Sequence, residues 1–294
     1  MNAEWSCDDL LIRLFMLGQG VRAPDMASDL RNDFLDKGLL VLDEQTALLR
    51  AQVQIYPLQL PSSTLFICTD WDGPNPLADA VMPIGVDSLQ LALALFNAPL
   101  TDKRCVDVCC GSGIQGLVAA ALGASLVLAC DVSARAVRFA RFNAMLNGLE
   151  NTMVVAAPGN CYSPVDVFLR AGCADRPHDQ NDGTTSSEAH EATSLFDVIL
   201  ANPPFVAVPT DLNLDPALYV SGGTDGADVV RQLVRGAPLR LARGGCLLLV
   251  AQLPNIDTAH ADLLGAHALD RTKRQTCSVH TCALPVLLYR LSAL

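Results

Sequence analysis

Two patterns of apolar and polar residues divide the chain. After residue 88, apolar runs of strand length alternate with longer segments in which apolar residues recur at helical spacing. Strands are predicted at 104–108, 125–130, 152–156, 196–200 and 246–252, with two more within 273–291. Helices are predicted at 88–98, 113–122, 134–147, 165–171, 229–241 and 257–269. This alternation, with strands that are apolar almost throughout, predicts an α/β fold whose mainly parallel sheet is covered on both faces.

The first 80 residues show a shorter and more mixed pattern. Helices are predicted at 10–18 and 28–38, and strands at 39–43, 48–56 and 65–69. The proline-containing segment 71–76 marks a boundary. We therefore expect a small N-terminal α+β accessory region at 1–80, which recognises the substrate, and a main domain at 81–294. The polar, helix-poor segment 172–194 is predicted to be a flexible insertion in that domain.

Composition narrows the class of protein. Hydrophobic residues make up 51% of the 294 residues and charged residues 17%, so the chain is able to bury a large core. The net charge of −11 counts against a nucleic-acid partner, because proteins that bind polyanions present basic surfaces. No apolar run is long enough to span a membrane. The first 20 residues lack the basic start of a secretion signal, and the chain has eleven cysteines, so we expect free thiols in the cytoplasm.

The cysteines do not predict a metal site. Cys109 and Cys110 are adjacent within a glycine-rich loop, and the chain contains no C-x-x-C pair. Cys277 and Cys282 flank His280, but the alternating pattern around them is typical of a strand. We therefore expect no metal.

The segment from Asp197 to Phe205 carries the strongest chemical signal. An apolar strand ends directly in Asn202-Pro203-Pro204-Phe205, and ligands bind at the carboxyl edge of open α/β sheets. Prolines lack an N–H, so this turn offers carbonyl acceptors without competing donors. The Asn202 side-chain carbonyl is a further acceptor, and the ring of Phe205 provides a flat face. Two acceptors beside a flat ring suit a planar –NH₂ group.

A glycine loop precedes this turn in the chain. Gly111, Gly113 and Gly116 match G-x-G-x-x-G between a predicted strand and helix, and Asp131 follows the next strand. Glycines allow the backbone to approach a ligand, and an acid accepts hydrogen bonds from ribose hydroxyls. That pattern fits NAD and S-adenosylmethionine equally. Asp107 favours S-adenosylmethionine, because a carboxylate beside the loop repels a pyrophosphate but attracts the amino group of a methionine moiety.

With these motifs, residues 80–294 resemble a class I S-adenosylmethionine-dependent methyltransferase. The narrower resemblance is to the protein-glutamine N5-methyltransferases, with their Asn-Pro-Pro-aromatic motif, and to relatives that methylate exocyclic base nitrogens. Three further segments match: 81–88 where such enzymes close over the cofactor, 158–160 where they contact adenine, and 221–230 where the glutamine branch is glycine-rich. The resemblance implies a Rossmann-like, seven-stranded methyltransferase sheet and S-adenosyl-L-methionine as cofactor.

The resemblance also implies roles for individual residues. Asn202 and the Pro203 carbonyl would accept the hydrogens of the nitrogen to be methylated, and Phe205 would hold its plane. The residues implied for cofactor binding are Asp107, Cys109, Gly111, Gly113, Asp131, Val132, Asn160 and Asn202. Three positions depart from the family pattern: Cys109 replaces a glycine, Asn160 stands where an acid often contacts the adenine amino group, and Phe205 stands where tyrosine is more frequent.

Together these inferences predict an N-methyltransferase that acts on a planar amide or amine nitrogen. The acidic composition favours a small molecule or peptide of secondary metabolism as the acceptor. Protein glutamine is the first alternative, and an exocyclic amine of ribosomal or transfer RNA is the second. Two other classes stay open: an NAD-dependent oxidoreductase, and a cofactor-binding scaffold without catalysis. The intact turn from Asn202 to Phe205 favours catalysis over a scaffold.

Overall fold

The computed structural model describes residues 6–73, 78–174, 195–209 and 218–251, and the strands at 275–281 and 287–293. The chain forms two compact units. Met1–Asn75 and Met82–Ile84 make up the first, and Pro76–Val81 and Gly85–Leu294 make up the second. Within the described residues, no helix is long and apolar enough to cross a membrane. The role of residues 1–80 in substrate recognition stays a prediction.

The first unit is a small α+β assembly. Its helices are α1 (Cys7–Leu11), which continues as a π-helix (Ile12–Met16), and α2 (Ser28–Asp36). Its strands are β1 (Val21–Arg22), β2 (Leu40–Asp43), β3 (Leu48–Ala51), β4 (Gln54–Gln59) and β5 (Thr64–Thr69). They form a three-stranded sheet in the order β1-β3-β2 and a separate β4-β5 hairpin. The single strand predicted at 48–56 is therefore two strands in different sheets, because the chain bends at residues 52–53.

The second unit contains a larger sheet with intervening helices. Its helices are α3 (Val86–Leu95), α4 (Ile114–Ala121), α5 (Ala134–Leu146), α6 (Ser163–Ala174) and α7 (Asp228–Gly236). Its strands are β6 (Arg104–Val108), β7 (Leu126–Cys130), β8 (Met153–Val155), β9 (Phe196–Ala201), β10 (Leu241–Ala251), β11 (Gln275–Thr281) and β12 (Leu287–Ala293). Their order is β11-β12-β10-β9-β6-β7-β8.

The sheet is parallel from β10 to β8, and β12 runs antiparallel to both of its neighbours. The five parallel strands with connecting helices confirm the predicted α/β, Rossmann-like class. The apolar residues of β6, β7 and β9 are buried except for the half-buried Leu126, as the near-continuous apolar runs indicated.

The chain changes direction across the sheet at β6. Strands β7 and β8 follow on one side of β6, whereas β9 and β10 lie on the other. Loops at such a switch point diverge and open a crevice at the carboxyl ends of the strands. Asp107 pairs with Leu200, and Val108 pairs with Ala201. The glycine loop after Val108 and the turn that begins at Asn202 are therefore neighbours.

Several boundaries differ from the sequence prediction. The helix predicted at 229–241 ends at Gly236, and a 3-10 turn (Ala237–Leu239) follows, because Pro238 has no N–H to continue the helix. Strand β10 begins five residues before the predicted 246, with an irregular register between Leu241 and Cys246. Helix α6 extends to Ala174, into the predicted insertion, and the rest of that insertion lies outside the described residues. The helix predicted at 257–269 also lies outside them.

Arg240, directly before β10, forms hydrogen bonds with residues of helices α6 and α7. Its guanidinium donates to both carboxylate oxygens of Asp166 on α6, at 2.8 and 2.6 Å. It also donates to the Gly236 carbonyl at the end of α7, at 2.7 Å, and lies 4.5 Å from the centre of the Tyr162 ring. A two-pronged ion pair with a stacked ring is a strong arrangement for arginine.

We expect Arg240→Ala to lower the free energy of unfolding by about 2 kcal/mol, because it removes charged hydrogen bonds and leaves Asp166 unpaired. Urea denaturation followed by circular dichroism measures this change. Arg243→Ala is the matched control, since Arg243 lies nearby in β10 and is exposed. Equal stability of the two variants would show that the Arg240 contacts do not hold these elements together.

Candidate functional site

The glycine loop after β6 has a backbone that is open towards a ligand. Cys109, Gly111 and Gly113 all have left-handed backbone conformations, with φ of 60°, 52° and 83°. A Cβ on Gly111 would meet no atom within 4 Å, so the loop leaves space there. Gly113 precedes α4 with a φ of 83°, at which a side chain is strained, and a Cβ there would also lie 3.2 Å from the Cβ of Ala140, so glycine is favoured at this position.

Cys109 adopts the conformation of the glycine that it replaces. A left-handed conformation costs a residue with a side chain about 1–2 kcal/mol, so the loop holds some backbone strain here. Burial raises the pKa of the Cys109 thiol well above its usual value, and the nearby carboxyl of Asp131 adds to this. Cys109 is therefore a neutral thiol at physiological pH and not a nucleophile.

Asp107 lies one residue before the end of β6 and is 1% exposed. Its Oδ2 accepts a hydrogen bond of 2.9 Å from the backbone N–H of Gly116, in the first turn of α4. Its Oδ1 is buried and has no partner among the described residues. Burial raises the pKa of Asp107 to about 7, the Gly116 hydrogen bond opposes this, and the charge of Asp131 adds to it. An unpaired buried carboxylate oxygen is an acceptor site for a cationic donor.

Asp131 connects the loops that follow β6 and β7. Its Oδ2 accepts from the Gly111 N–H at 2.9 Å, and its Oδ1 accepts from the Ser133 N–H at 2.8 Å. Burial raises its pKa, while these backbone hydrogen bonds oppose the shift. Each carboxylate oxygen retains capacity for a further donor such as a hydroxyl.

The segment after β8 is hydrogen-bonded to the backbone of Asp131. The Gly159 N–H donates to the Asp131 backbone carbonyl at 2.9 Å, so the adjacent Asn160 lies near the end of β7. The Asn160 side chain and Val132 are exposed. The backbone thus brings together the predicted cofactor residues that follow three parallel strands, β6, β7 and β8, at one edge of the sheet.

Asn202 follows β9 directly and its amide has a defined orientation. Its Nδ2 donates to Asp87 Oδ2 at 3.0 Å and to Ser88 Oγ at 3.2 Å, both in the first turn of α3. Its Oδ1 is buried and accepts no hydrogen bond within the described part of the chain. The amide is therefore held by its nitrogen, with its carbonyl oxygen left as an acceptor, and the predicted role of Asn202 stays a prediction.

A glycine-rich loop packs on the chain that follows Pro203. Val206 donates to the Val220 carbonyl at 3.1 Å, and the Gly222 N–H donates to the Val206 carbonyl at 2.9 Å. A Cβ on Gly222 would lie 2.8 Å from the Phe205 Cα, and one on Gly226 would lie 2.5 Å from the Phe205 carbonyl oxygen. These two glycines let the loop fix the backbone of Phe205, a function that the sequence match at 221–230 did not specify.

Two partners in this site were not predicted. Asp87 and Ser88 lie 115 and 114 positions before Asn202, so sequence spacing gives no sign of the contact. The resemblance of 81–88 to a segment that closes over the cofactor was the one sequence feature that placed Asp87 and Ser88 near the site.

Among the residues described, no three His, Cys, Asp or Glu side chains are grouped to hold a metal. The side chains of Cys277, His280 and Cys282 lie outside the described part.

The chain is similar to methyltransferases that modify proteins. Residues 89–171 match the family described as ribosomal protein L11 methyltransferase (PrmA). The chain is 32% identical over 158 residues to ribosomal protein uL3 glutamine methyltransferase of Bordetella pertussis, covering 51% of this chain and 44% of that protein. It is 30% identical over 204 residues to release factor glutamine methyltransferase of Deinococcus radiodurans, covering 66% of this chain and 63% of that protein. The chain thus spans less than two thirds of either relative.

Solved structures show the same fold. The 16S rRNA N2 G1207 methyltransferase of Thermus thermophilus, in complex with AdoMet and guanosine, superposes with a TM-score of 0.50 at 16% identity, over 90% of this chain and 61% of that one. The resemblance inferred from the motifs is confirmed, and the predicted enzyme class is that of the relatives. The predicted cofactor is the one bound in the Thermus thermophilus structure. The expectation of a small-molecule or peptide acceptor is wrong, because both relatives are named for glutamine in a protein substrate.

The pKa of Asp107 predicts how stability changes with pH. Because the folded-state pKa, about 7, lies above the value of about 3.9 in an unfolded chain, folding favours the protonated form. This contribution is fully present below pH 4 and is lost as the pH rises through 7. Asp107→Asn does not titrate, so we expect its stability relative to the natural protein to increase by about 2 kcal/mol between pH 5 and pH 8.

Chemical denaturation of the ligand-free protein at a series of pH values measures that difference. Glu150→Ala, an exposed acidic position in the same unit, controls for general effects of lost charge. A stability difference between Asp107→Asn and the natural protein that does not vary with pH would contradict the raised pKa.

Proposed function

We propose that this chain is an S-adenosylmethionine-dependent methyltransferase that methylates the side-chain amide nitrogen of a glutamine in a protein substrate. The observation that carries the proposal is the buried Oδ1 of Asn202, which accepts no hydrogen bond from the residues that the structure describes and is followed by the Pro203–Phe205 turn. A primary amide has two N–H donors and is planar. Its recognition needs two acceptors and a flat neighbour, which this turn supplies.

The cofactor residues fit S-adenosylmethionine in chemical type. Asp107 would accept from the ammonium group of the methionine moiety through its unpaired Oδ1, and Asp131 would accept from the ribose hydroxyls. The open space at Gly111 allows the backbone to approach the ligand closely. S-adenosylmethionine supplies an electrophilic methyl group on a sulfonium when bound. Val132 and Asn160, at the surface beside Asp131, would contact the adenosine portion.

Catalysis in this proposal depends on positioning and electrostatics. The lone pair of an amide nitrogen is delocalised into its carbonyl, so the nitrogen is a poor nucleophile. Asn202 Oδ1 and the Pro203 carbonyl would each accept one N–H, which increases electron density on that nitrogen and aligns its lone pair with the methyl group. S-adenosylmethionine would supply the methyl group: the nitrogen–carbon bond would form as the carbon–sulfur bond breaks, and the electron pair of that bond would stay on the neutral thioether. The methylated nitrogen would then release one proton to solvent. The acceptors stabilise the positive charge that develops on nitrogen before that loss.

Charge supports a protein substrate over a nucleic acid. The chain carries a net charge of −11, and the acceptor Asn202 is hydrogen-bonded to the carboxylate of Asp87. Both features repel phosphates. The relatives named for protein glutamine point to the same substrate class.

Methyl transfer to purified proteins tests the proposal. The enzyme is incubated with S-adenosylmethionine and either a release factor or ribosomal protein uL3, the substrates that the relatives are named for. Tandem mass spectrometry then locates the added methyl group. We expect it on a glutamine side chain of one of these proteins. Methylation of ribosomal RNA with no methylation of either protein would contradict the proposal.

We expect Asn202→Ala to lower kcat roughly 10²–10³-fold, by analogy with removal of one preorganised hydrogen-bonding group. The affinity for S-adenosylmethionine should change little, since the glycine loop is intact. Steady-state kinetics and calorimetric titration separate these effects. Asn151→Ala, an exposed asparagine in the same unit, is the control. Turnover by Asn202→Ala near the natural rate would exclude Asn202 as an acceptor for the reacting nitrogen.

Asp131→Ala tests the cofactor half of the site. Loss of charged hydrogen bonds to the ribose should weaken S-adenosylmethionine binding by about 1.5–3 kcal/mol, roughly 10–100-fold in Kd. Asp131→Asn should lose less, because the amide oxygen still accepts one donor. Isothermal titration calorimetry gives Kd, and the melting temperature of each variant shows that the loops fold. An unchanged Kd in a folded Asp131→Ala variant would remove Asp131 from the site.

A further inference from the structure

The contact between Asn202 and the start of α3 extends the site beyond the motif residues. Asp87 and Ser88 are 8% and 5% exposed, and both accept from the two hydrogens of the Asn202 Nδ2. The oxygen of the same amide, Oδ1, is buried and has no hydrogen-bond partner in the described part of the chain. The three side chains therefore form one connected polar group, in which Asn202 Oδ1 is a buried acceptor that remains available to a ligand.

Asp87 determines that the oxygen of the Asn202 amide, and not its nitrogen, is available to a ligand. A carboxylate only accepts hydrogen bonds, whereas a serine hydroxyl both donates and accepts. If the Asn202 amide turned over, Ser88 would still form a hydrogen bond, by donating to the oxygen. Asp87 would then face an oxygen at hydrogen-bond distance, and two buried acceptors repel one another. The Asp87 carboxylate therefore fixes the acceptor side of Asn202 towards the ligand.

Helix α3 is itself fixed to the cofactor loop. Gln115, buried in the first turn of α4, donates from Nε2 to the Ser88 carbonyl at 3.2 Å. The neighbouring Gly116 donates its N–H to Asp107 at 2.9 Å. One continuous set of hydrogen bonds thus joins Asp107, α4, α3 and Asn202, so the position of the amide depends on the loop that would hold the cofactor.

We propose that Asp87 is a positioning residue for methyl transfer, which holds the Asn202 amide with Oδ1 towards the substrate nitrogen and polarises it. This rests on the proposed function. A carboxylate that accepts from the Nδ2 hydrogens draws the amide towards its charge-separated form, with more negative charge on Oδ1. That oxygen is then a stronger acceptor for a nitrogen on which positive charge develops. Ser88 is the second acceptor of the Asn202 Nδ2 and does not discriminate between the two orientations.

Kinetics of three variants test the catalytic part of this proposal. Asp87→Ala should lower kcat for glutamine methylation roughly 10–100-fold, as for residues that orient metal ligands, with little change in Kd for S-adenosylmethionine. Asp87→Asn should recover part of kcat, because its Oδ1 still accepts from Asn202. Gln90→Ala, one turn further along α3, is the matched control, because Gln90 is half-buried with a buried Oε1 and forms none of these hydrogen bonds. A folded Asp87→Ala variant with natural kcat would overturn the proposal.

Hydrogen exchange of the Asn202 side chain tests the orientation without any substrate. In protein labelled with ¹⁵N asparagine, the Nδ2 pair of Asn202 is the signal that disappears in Asn202→Asp. We expect slow exchange of this pair in the natural protein and in Gln90→Ala, and faster exchange in Asp87→Ala. Equal exchange in the natural protein and Asp87→Ala would overturn the assignment. If the natural protein does not methylate glutamine, the proposed function fails, and this measurement alone then decides whether Asp87 orients Asn202.

Discussion

The central constraint in this structure is the need to satisfy two buried oxygen atoms at the carboxyl edge of the sheet. Asp107 Oδ1, on β6, and Asn202 Oδ1, directly after the neighbouring strand β9, accept no hydrogen bond within the described residues. A buried polar atom without a partner costs about 1–3 kcal/mol, and more when it is charged. The other oxygen of Asp107 and the Nδ2 of Asn202 both form hydrogen bonds, so the two side chains are well packed apart from these single oxygen atoms. The two free oxygens mark where ligand donors belong.

The glycine loop and Asp131 complete the arrangement. The backbone N–H groups of Gly111 and Ser133 satisfy the Asp131 carboxylate, and left-handed conformations at three loop positions make that geometry possible. One of the three is Cys109, whose side chain carries a conformational cost that glycine would avoid. In the proposed function, the glycine loop and the carboxylates of Asp107 and Asp131 would hold the cofactor with its sulfonium methyl group. The amide of Asn202, directly after β9, would hold the substrate nitrogen beside that methyl group.

Much of this could be predicted from sequence because it depends on local pattern. The strand-to-turn junction at Asn202 and the glycine spacing from Gly111 are encoded within a few residues, and the apolar runs define β6, β7 and β9. The contact of Asp87 with Asn202 was not predictable, because it depends on how α3 packs against α4 and β10. The break at 52–53 and the early start of β10 likewise depend on which strand each segment pairs with. The acceptor class was misjudged because net charge argues against polyanions but does not separate a small amide from a glutamine within a protein.

Proton release on cofactor binding tests the central claim most directly. At pH 6.5 most Asp107 carboxyls are protonated in the free protein, given a pKa of about 7. If Oδ1 receives the ammonium group of S-adenosylmethionine, that carboxyl must ionise on binding and lose its proton to the buffer. Calorimetric titration in buffers of different ionisation enthalpy counts the protons released. The account predicts net release of a substantial fraction of one proton by the natural protein and none by Asp107→Asn. Tight binding with equal proton release in both proteins would contradict it.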